Sequence, residues 1–193
     1  IDNAEGSRDV AAAVFDRSAR AAVTLAREHL AVGDRVALAI SSPDLFCQRL
    51  GSGRRHLIRV VDTIMDARRL PGFVKPRLDL LPRSVLTPGA LVIVLSPLLG
   101  EDSIALIGSL RRRGHPTVVI DPLDRGPDVR GSALHRRAVR LWELEREATR
   151  HELGQRGIVV LRWPPGIALA GLLKTMAPRP IAPATPQAAR ARR

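Results

Sequence analysis

The sequence predicts an α/β fold: a three-layer sandwich in which a mostly parallel, doubly wound sheet carries helices on both faces. The stretch Ala90–Leu98 reads ALVIVLSPL and opens with six consecutive apolar residues, which is typical of a strand buried on both faces. Companion apolar runs stand at Arg35–Ile40, Thr117–Ile120 and Ile158–Leu161. Stretches with helical spacing alternate with these runs, and such alternation favours parallel strands joined by right-handed crossovers.

Length and composition indicate a single domain. A chain of 193 residues can bury a substantial core, and with 3% aromatic residues that core must consist of Leu, Val, Ile and Ala. Residues 1–177 are predicted to form the domain, and Pro178–Arg193 is predicted to be a disordered basic tail. Ile1-Asp2 is interpreted as the end of a truncated first strand, so the sequence is taken as part of a longer protein. No apolar stretch reaches the length of a bilayer span.

The first half of the chain is predicted as follows. A polar loop covers Asp2–Ser7, and a helix runs from Asp9 to about Leu30. The strand Arg35–Ile40 follows, and Leu45–Leu50 is predicted as an antiparallel edge strand. After Gly51-Ser52-Gly53 an amphipathic helix begins, and its apolar positions are Leu57, Val60, Val61, Ile64 and Met65.

In the second half, Ala90–Leu95 is predicted as the central parallel strand, beside the strand that ends at Ile1. A helix should begin at Glu101-Asp102, where carboxylates favour the helix dipole. It should end at Gly114, before the strand Thr117–Ile120. A long helix over Ser132–Leu153, the strand Ile158–Leu161 and a helix over Ile167–Met176 complete the prediction. The long helix is expected to turn five residues inward: Leu134, Ala138, Leu141, Leu144 and Ala148.

The formal net charge of +12 leaves two interpretations open. The charge could serve an acidic partner such as nucleic acid, anionic lipid or an acidic protein. Alternatively, the arginines simply cover helix surfaces with their aliphatic stems, because they are spread along the chain rather than gathered in one element. Proteins that bind single-stranded nucleic acid usually offer aromatic stacking platforms, and the scarcity of aromatic residues argues against that class.

Residues with catalytic or ligand-binding chemistry are few. The glycines at 51 and 53 precede Arg54 and Arg55 at a helix start, which is a candidate anion contact but matches neither common phosphate-loop pattern. Ser96 follows the buried strand without the G-x-S-x-G pattern of a nucleophile, so a structural turn is favoured. The single cysteine, Cys47, excludes an intrachain disulfide, and the five histidines show no metal-ligand spacing.

Several stretches in order resemble a known family. RAAVTLAREHLAVGDRVALAI, the Gly-Arg-Arg-His-Leu helix start, ALVIVLSPL, RRRGHPTVVIDP and GIVVLRWPPG follow one another over Ile1 to Met176. Together they resemble the von Willebrand factor A-like domain of the bacterial "domain of unknown function 58" proteins. Genes of that family generally stand beside genes for MoxR-type AAA+ ATPases. The resemblance implies a von Willebrand A or Rossmann-like sheet.

The resemblance also implies a metal-ion-dependent adhesion site, in which hydroxyls and carboxylates hold Mg²⁺. Asp2 fits the first position of that site, with Ser7 and Asp79 as further candidates near the expected positions. Ala4 and Gly6 stand where the family has serines, and Pro97 stands where it has an aspartate. The site is therefore expected to be degenerate, and no cofactor is expected.

The function expected from this resemblance is a non-enzymatic protein-interaction module. It would act with a MoxR-type ATPase on the cytoplasmic face of a membrane, anchored by segments outside this chain. The partner-facing residues are expected at strand ends: Asn3, Glu5, Ser41, Ser42, Ser96, Glu101 and Asp102. The alternative is a basic domain that binds nucleic acid or an anionic surface.

Overall fold

The computed structural model describes residues 3–41, 45–68, 81, 84–123, 132–164, 166–169 and 171. The elements are α1 (Asn3–Ala31), β1 (Val36–Ser41), β2 (Leu45–Gly51), α2 (Gly53–Arg68), β3 (Val92–Leu95), α3 (Glu101–Arg112), β4 (Thr117–Asp121), α4 (Ala133–Gln155) and β5 (Val159–Arg162). The predicted α/β class with a parallel sheet is confirmed. The predicted tail, the strand end at Ile1-Asp2 and most of the predicted helix over Ile167–Met176 lie outside the described residues.

A parallel sheet of three strands, in the order β3-β4-β5, forms one part of the fold. All five residues of β4 are buried, whereas those of β3 are half-buried. Among the described residues β3 pairs with β4 alone, so the prediction that Ala90–Leu95 is the central strand is wrong. The central strand is β4, because it has a strand neighbour on each side. It pairs with β3, as in Val92↔Thr117, and with β5, as in Asp121↔Arg162.

Both faces of this sheet are covered by apolar side chains. Successive residues of a strand point to opposite faces, and Val119 packs against Ile107 of α3 and Leu153 of α4. Its neighbour Ile120 points the other way, against Leu25 of α1. The sheet is therefore enclosed by α3 and α4 on one face and by α1 on the other, as the continuous apolar run in its strands requires.

The first two strands form a separate antiparallel pair. β1 pairs with β2 from Val36↔Gly51 to Ser41↔Leu45, so the prediction of an antiparallel strand at Leu45–Leu50 is confirmed. The prediction that Arg35–Ile40 joins the parallel sheet is wrong. Its side chains Val36, Leu38 and Ile40 pack in a separate cluster with α1 and α2, and among the described residues its strand partner is β2, reached by a three-residue connection that suits antiparallel neighbours.

Helices α1 and α2 differ from their predicted form. Residues 3–7, predicted as a polar loop, are the first turns of α1. The sequence there is mostly compatible with helix, and the single Gly6 costs only about 1 kcal/mol relative to Ala. In α2 the buried residues are His56, Val60, Ile64 and Ala67, whereas Met65 is exposed, so the buried face is rotated from the predicted one.

The long helix α4 shows the largest departure. It buries Val139, Arg146 and Leu153, which recur every seven residues on one side. All five residues predicted to point inward are exposed instead: Leu134, Ala138, Leu141, Leu144 and Ala148. The reason is that Arg146 of this helix pairs with Asp121 of β4. The side of the helix that carries Arg146 therefore faces the sheet, and the leucines lie on the opposite side.

Gly51 provides a test of the packing between β2 and α2. A Cβ atom added there would lie 2.4 Å from Nδ1 of His56, whose Nε2 is 2.7 Å from the Val36 carbonyl oxygen. We expect Gly51→Ala to lower the free energy of unfolding by about 1–3 kcal/mol, because the imidazole must move and lose its buried hydrogen bond. Chemical denaturation measures the change.

The matched control is Gly154→Ala in α4, where an added Cβ meets nothing within 4 Å. There the same substitution removes a flexible residue from a helix and is expected to stabilise by about 0.5–1 kcal/mol. Equal effects of the two substitutions would contradict the role assigned to the His56 ring.

Candidate functional site

The carboxyl edge of the parallel sheet is the candidate site, since open α/β sheets bind ligands beyond the carboxyl ends of their strands. Its centre is Asp121, the last residue of β4, whose side chain is 2% exposed. Oδ1 accepts a hydrogen bond from the backbone N–H of Leu123, at 3.0 Å. Oδ2 lies 2.6 Å from Nη2 of Arg146 and 3.2 Å from Nη2 of Arg150. Both carboxylate oxygens are therefore engaged by donors from the protein itself.

Arg146 extends from α4 to two of the three strand ends. Besides pairing with Asp121, its Nη1 donates a hydrogen bond to the carbonyl oxygen of Pro97, which follows β3. Its guanidinium also lies over the Trp142 ring, 4.8 Å from the ring centroid. Burial lowers the pKa of Arg146, and the Asp121 carboxylate opposes that shift by favouring the charged form. The guanidinium thus lies between the carboxyl ends of β3 and β4, at the edge where open α/β sheets bind ligands.

Arg150 stands one turn further along α4. Its Nη2 donates to Asp121, and its Nη1 donates to Glu147 Oε2 at 2.8 Å. Its Nε is buried without a hydrogen-bond partner among the described residues. Two guanidinium groups therefore share one buried carboxylate, and an exposed glutamate supplies the second negative charge.

A third arginine contacts the same edge from the other face of the sheet. Arg17 of α1 donates through Nη2 to the carbonyl oxygen of Pro164, at 3.0 Å, and to that of Trp163. Its guanidinium lies over the Trp163 ring, 4.4 Å from the ring centroid. The carboxyl ends of β3, β4 and β5 are thus each held by an arginine from a covering helix.

The turn after β3, residues 96–100, is held by hydrogen bonds at its start and exposes a side chain near its end. Ser96 is buried, and its Oγ accepts a hydrogen bond from the N–H of Leu98. Leu98 has a φ of +55°, a left-handed conformation that costs a leucine energy and that tightly packed sites retain. Beyond it Leu99 is 54% exposed, and Glu101, the first residue of α3, is also exposed. The favoured turn role of Ser96 is confirmed, and its expected presentation to a partner is wrong because it is buried.

The other predicted site residues are scattered. Asp2, Ser42 and Asp79 lie outside the described residues. Asn3, Glu5 and Ser7 belong to helix α1 rather than to a loop, and Ser41 ends β1 in the other sheet. Glu101 and Asp102 begin α3, after the turn that follows β3. Arg54 and Arg55 are exposed in the first turn of α2.

The described part of the site does not fit Mg²⁺. Ser7 is helical, and the carbonyl of Pro97, which stands where the family has an aspartate, accepts a hydrogen bond from a guanidinium. No group of three His, Cys, Asp or Glu among the described residues is placed to hold a metal ion.

Burial raises the pKa of the Cys47 thiol, so this residue stays protonated near neutral pH.

Sequence reasoning missed the residues that organise this edge: Arg17, Asp121, Arg146 and Arg150. Two signals were present. Asp121 directly follows the apolar run TVVI, at the carboxyl end of a predicted strand. Arg146 lies seven residues after Val139 and seven before Leu153, on the same side of α4 as both. An arginine on that stripe needs a buried counter-charge, and Asp121 provides it.

Comparison with family models, with curated proteins and with solved structures finds no match to the chain. Among the described helices, none is both long enough and apolar enough to cross a membrane.

Proposed function

We propose that the chain is a non-enzymatic protein-interaction module of the von Willebrand A-like kind that its sequence motifs resemble. The observation that carries this proposal is the carboxyl edge of the parallel sheet, which is filled by arginine side chains. A carboxylate held by two guanidinium groups and a backbone N–H is poorly suited to act as a base, a nucleophile or a metal ligand.

The same edge offers a surface suited to recognition. The strained turn after β3 holds Leu99 outward next to Glu101, and the buried Arg146 fixes the backbone of that turn through the Pro97 carbonyl. A rigid loop loses little conformational entropy on binding, which favours affinity. The proposed partner is a MoxR-type AAA+ ATPase. We propose that this domain, as part of a longer membrane-anchored protein, binds the ATPase at the cytoplasmic face of the membrane.

The proposed fold is a von Willebrand A-like three-layer sandwich. The covering of the parallel sheet by α3 and α4 on one face and by α1 on the other supports it. The separate antiparallel pair of β1 and β2 departs from the mostly parallel sheet expected of that family.

The test is a binding titration of the chain with a purified MoxR-type ATPase from the same genome, followed by calorimetry. We expect Leu99→Asp to weaken binding at least about tenfold, which corresponds to about 1.4 kcal/mol. The matched control is Leu91→Asp, because Leu91 is 50% exposed at the opposite, amino end of the same strand. Absence of binding, or equal effects of the two substitutions, would contradict the proposal.

The alternative, a nucleic-acid or anionic-surface binder, is tested with a fluorescent single-stranded DNA and with anionic vesicles in place of the ATPase. Binding through phosphates alone should weaken steeply as salt is raised and should show no sequence preference. Tight, salt-resistant binding to a particular sequence would favour the alternative over the proposed partner.

A second prediction concerns the degenerate metal site. We expect millimolar Mg²⁺ to leave the melting temperature of the isolated chain unchanged, because no group of candidate ligands among the described residues is placed to hold the ion. The melting temperature reports binding, since a ligand that binds only the folded state must stabilise it. Thermal melts with and without Mg²⁺ measure this. Saturable stabilisation that disappears in Asp2→Ala would show that a metal site exists through the residues outside the described part.

A further inference from the structure

A stripe of apolar side chains on α4 faces away from the described part of the domain. It consists of Leu134, Ala138, Leu141, Leu144 and Ala148, here termed the α4 leucine face. The three leucines are 77%, 59% and 54% exposed, whereas Val139 and Leu153 on the other side of the helix are buried. Apolar residues gathered into a stripe on one helix differ from singly scattered ones, and they indicate a surface that another element covers.

The spacing of this face is that of a helix pair. Leu134, Leu141 and Ala148 stand seven residues apart, and Leu144 lies three residues after Leu141. They occupy the a positions and the middle d position of a heptad repeat, the seam along which two helices pack, and the other two d positions are the polar residues Arg137 and His151. The side that docks on the domain, represented by Val139 and Arg146, occupies the f positions, which point away from such a seam.

The charges along α4 are divided between its two halves. Residues 133–140 contain three arginines and no acidic residue, whereas residues 143–152 contain four glutamates: Glu143, Glu145, Glu147 and Glu152. The arginines of the second half, Arg146 and Arg150, are committed to Asp121. The exposed part of the helix is therefore basic in its first half and acidic in its second.

We propose that the α4 leucine face pairs with the same face of a second copy of this chain, the two helices running antiparallel. In this direction the basic half of each helix lies against the acidic half of the other. The positive end of each helix dipole also lies beside the negative end of its neighbour. The two-fold axis passes between residues 142 and 143, so Leu141 packs against Leu144 of the second copy. Arg140 then lies beside Glu147 of the second copy, and the side chains of these residues are 74% and 66% exposed in one chain.

The proposal does not rest on the proposed function, because the turn after β3 and the α4 leucine face are different surfaces. It is tested first by sedimentation velocity of the full chain over a range of concentrations. We expect a monomer–dimer equilibrium whose dissociation constant rises at least about tenfold in Leu141→Glu, because the glutamate is set in the apolar seam. Val32→Glu is the matched control, since Val32 is 77% exposed and lies just beyond α1.

The direction of the pair is tested by cross-linking in a Cys47→Ser background, which removes the native thiol. In an antiparallel pair, residue 134 of one copy lies near residue 151 of the other. The two copies of residue 134 are then about 25 Å apart, at 1.5 Å per residue. We expect a mixture of Leu134→Cys and His151→Cys chains to form a disulfide-linked dimer, and Leu134→Cys chains alone to remain unlinked.

Four results would overturn the proposal. The chain could remain monomeric at every concentration, or its dimer could survive Leu141→Glu unchanged. Leu134→Cys chains could also cross-link to themselves, which would indicate a parallel pair. If Leu141→Glu unfolds the chain, the face belongs to the domain's own core and the proposal is equally wrong. Arg140→Glu, on an exposed arginine at the rim, should keep the fold and still weaken the dimer.

Discussion

Replacing Asp121 with asparagine is expected to destabilise the domain by roughly 3–5 kcal/mol, the range for breaking a buried ion pair. Asparagine keeps the size of the side chain, and its Oδ1 can still accept the hydrogen bond from Leu123. The change therefore removes the charge and puts an NH₂ donor in place of Oδ2, the acceptor of both guanidinium hydrogen bonds. Arg146, whose side chain is 7% exposed, and Arg150, at 14%, would lose their shared counter-charge. Urea denaturation measures the loss.

The control for this prediction is Glu147→Gln, which removes the other partner of Arg150. The Glu147 side chain is 66% exposed, so the expected change is below about 1 kcal/mol. A third variant, Asp121→Asn with Arg146→Met, should recover part of the loss, because the buried cation is removed together with its partner. Similar stabilities for Asp121→Asn and Glu147→Gln would show that the carboxyl edge is not held by this ion pair.

Replacing Val119 with aspartate is expected to leave the chain largely unfolded at neutral pH. Val119 is fully buried in β4, between Ile107 and Leu153. A carboxyl group in such a place has its pKa raised by about 3–5 units, to about 7 or above, so at neutral pH folding costs about 4 kcal/mol for protonating a group whose unfolded pKa is about 4. Loss of the apolar side chain adds about 1.5–3 kcal/mol, and the sum approaches the whole stability of a typical domain.

The pH dependence of this variant has a definite sign. Because the folded-state pKa of the new carboxyl group lies above its unfolded value, the protonated group is compatible with the fold at low pH. Stability is therefore lost as the pH rises from the unfolded pKa through the folded one. Circular dichroism melts at about pH 4 and about pH 8, referred to the wild type at each pH, should show the smaller deficit at about pH 4.

Two further substitutions show how the loss of stability depends on the burial of the substituted position. Val159→Asp, at a 42% exposed position of the neighbouring strand β5, should cost no more than about 1 kcal/mol. Ile93→Asp, at a half-buried position of the edge strand β3, should fall between the two. A folded Val119→Asp protein with unchanged melting would contradict the placement of β4 at the centre of the sheet.

The sequence by itself determined the elements and their order. Apolar runs such as Thr117–Ile120 and the glycines at 33, 114 and 157, each with positive φ, indicated where strands lie and where helices end. These signals are local, since they depend on the spacing of residues within one segment and on the backbone angles of single residues. For the same reason the antiparallel pairing of Leu45–Leu50 with the strand before it was predictable from a short connection.

Only the tertiary structure decided which strand is central and which side of α4 is buried. Ala90–Leu95 and Thr117–Ile120 are similar apolar runs, and nothing within either run reports how many strands pair with it. In α4 the leucines form the more apolar stripe, yet the helix docks through Val139, Arg146 and Leu153. The physical reason is the buried ion pair between Arg146 and Asp121, 25 residues apart in the chain, whose geometry outweighs the local hydrophobic pattern.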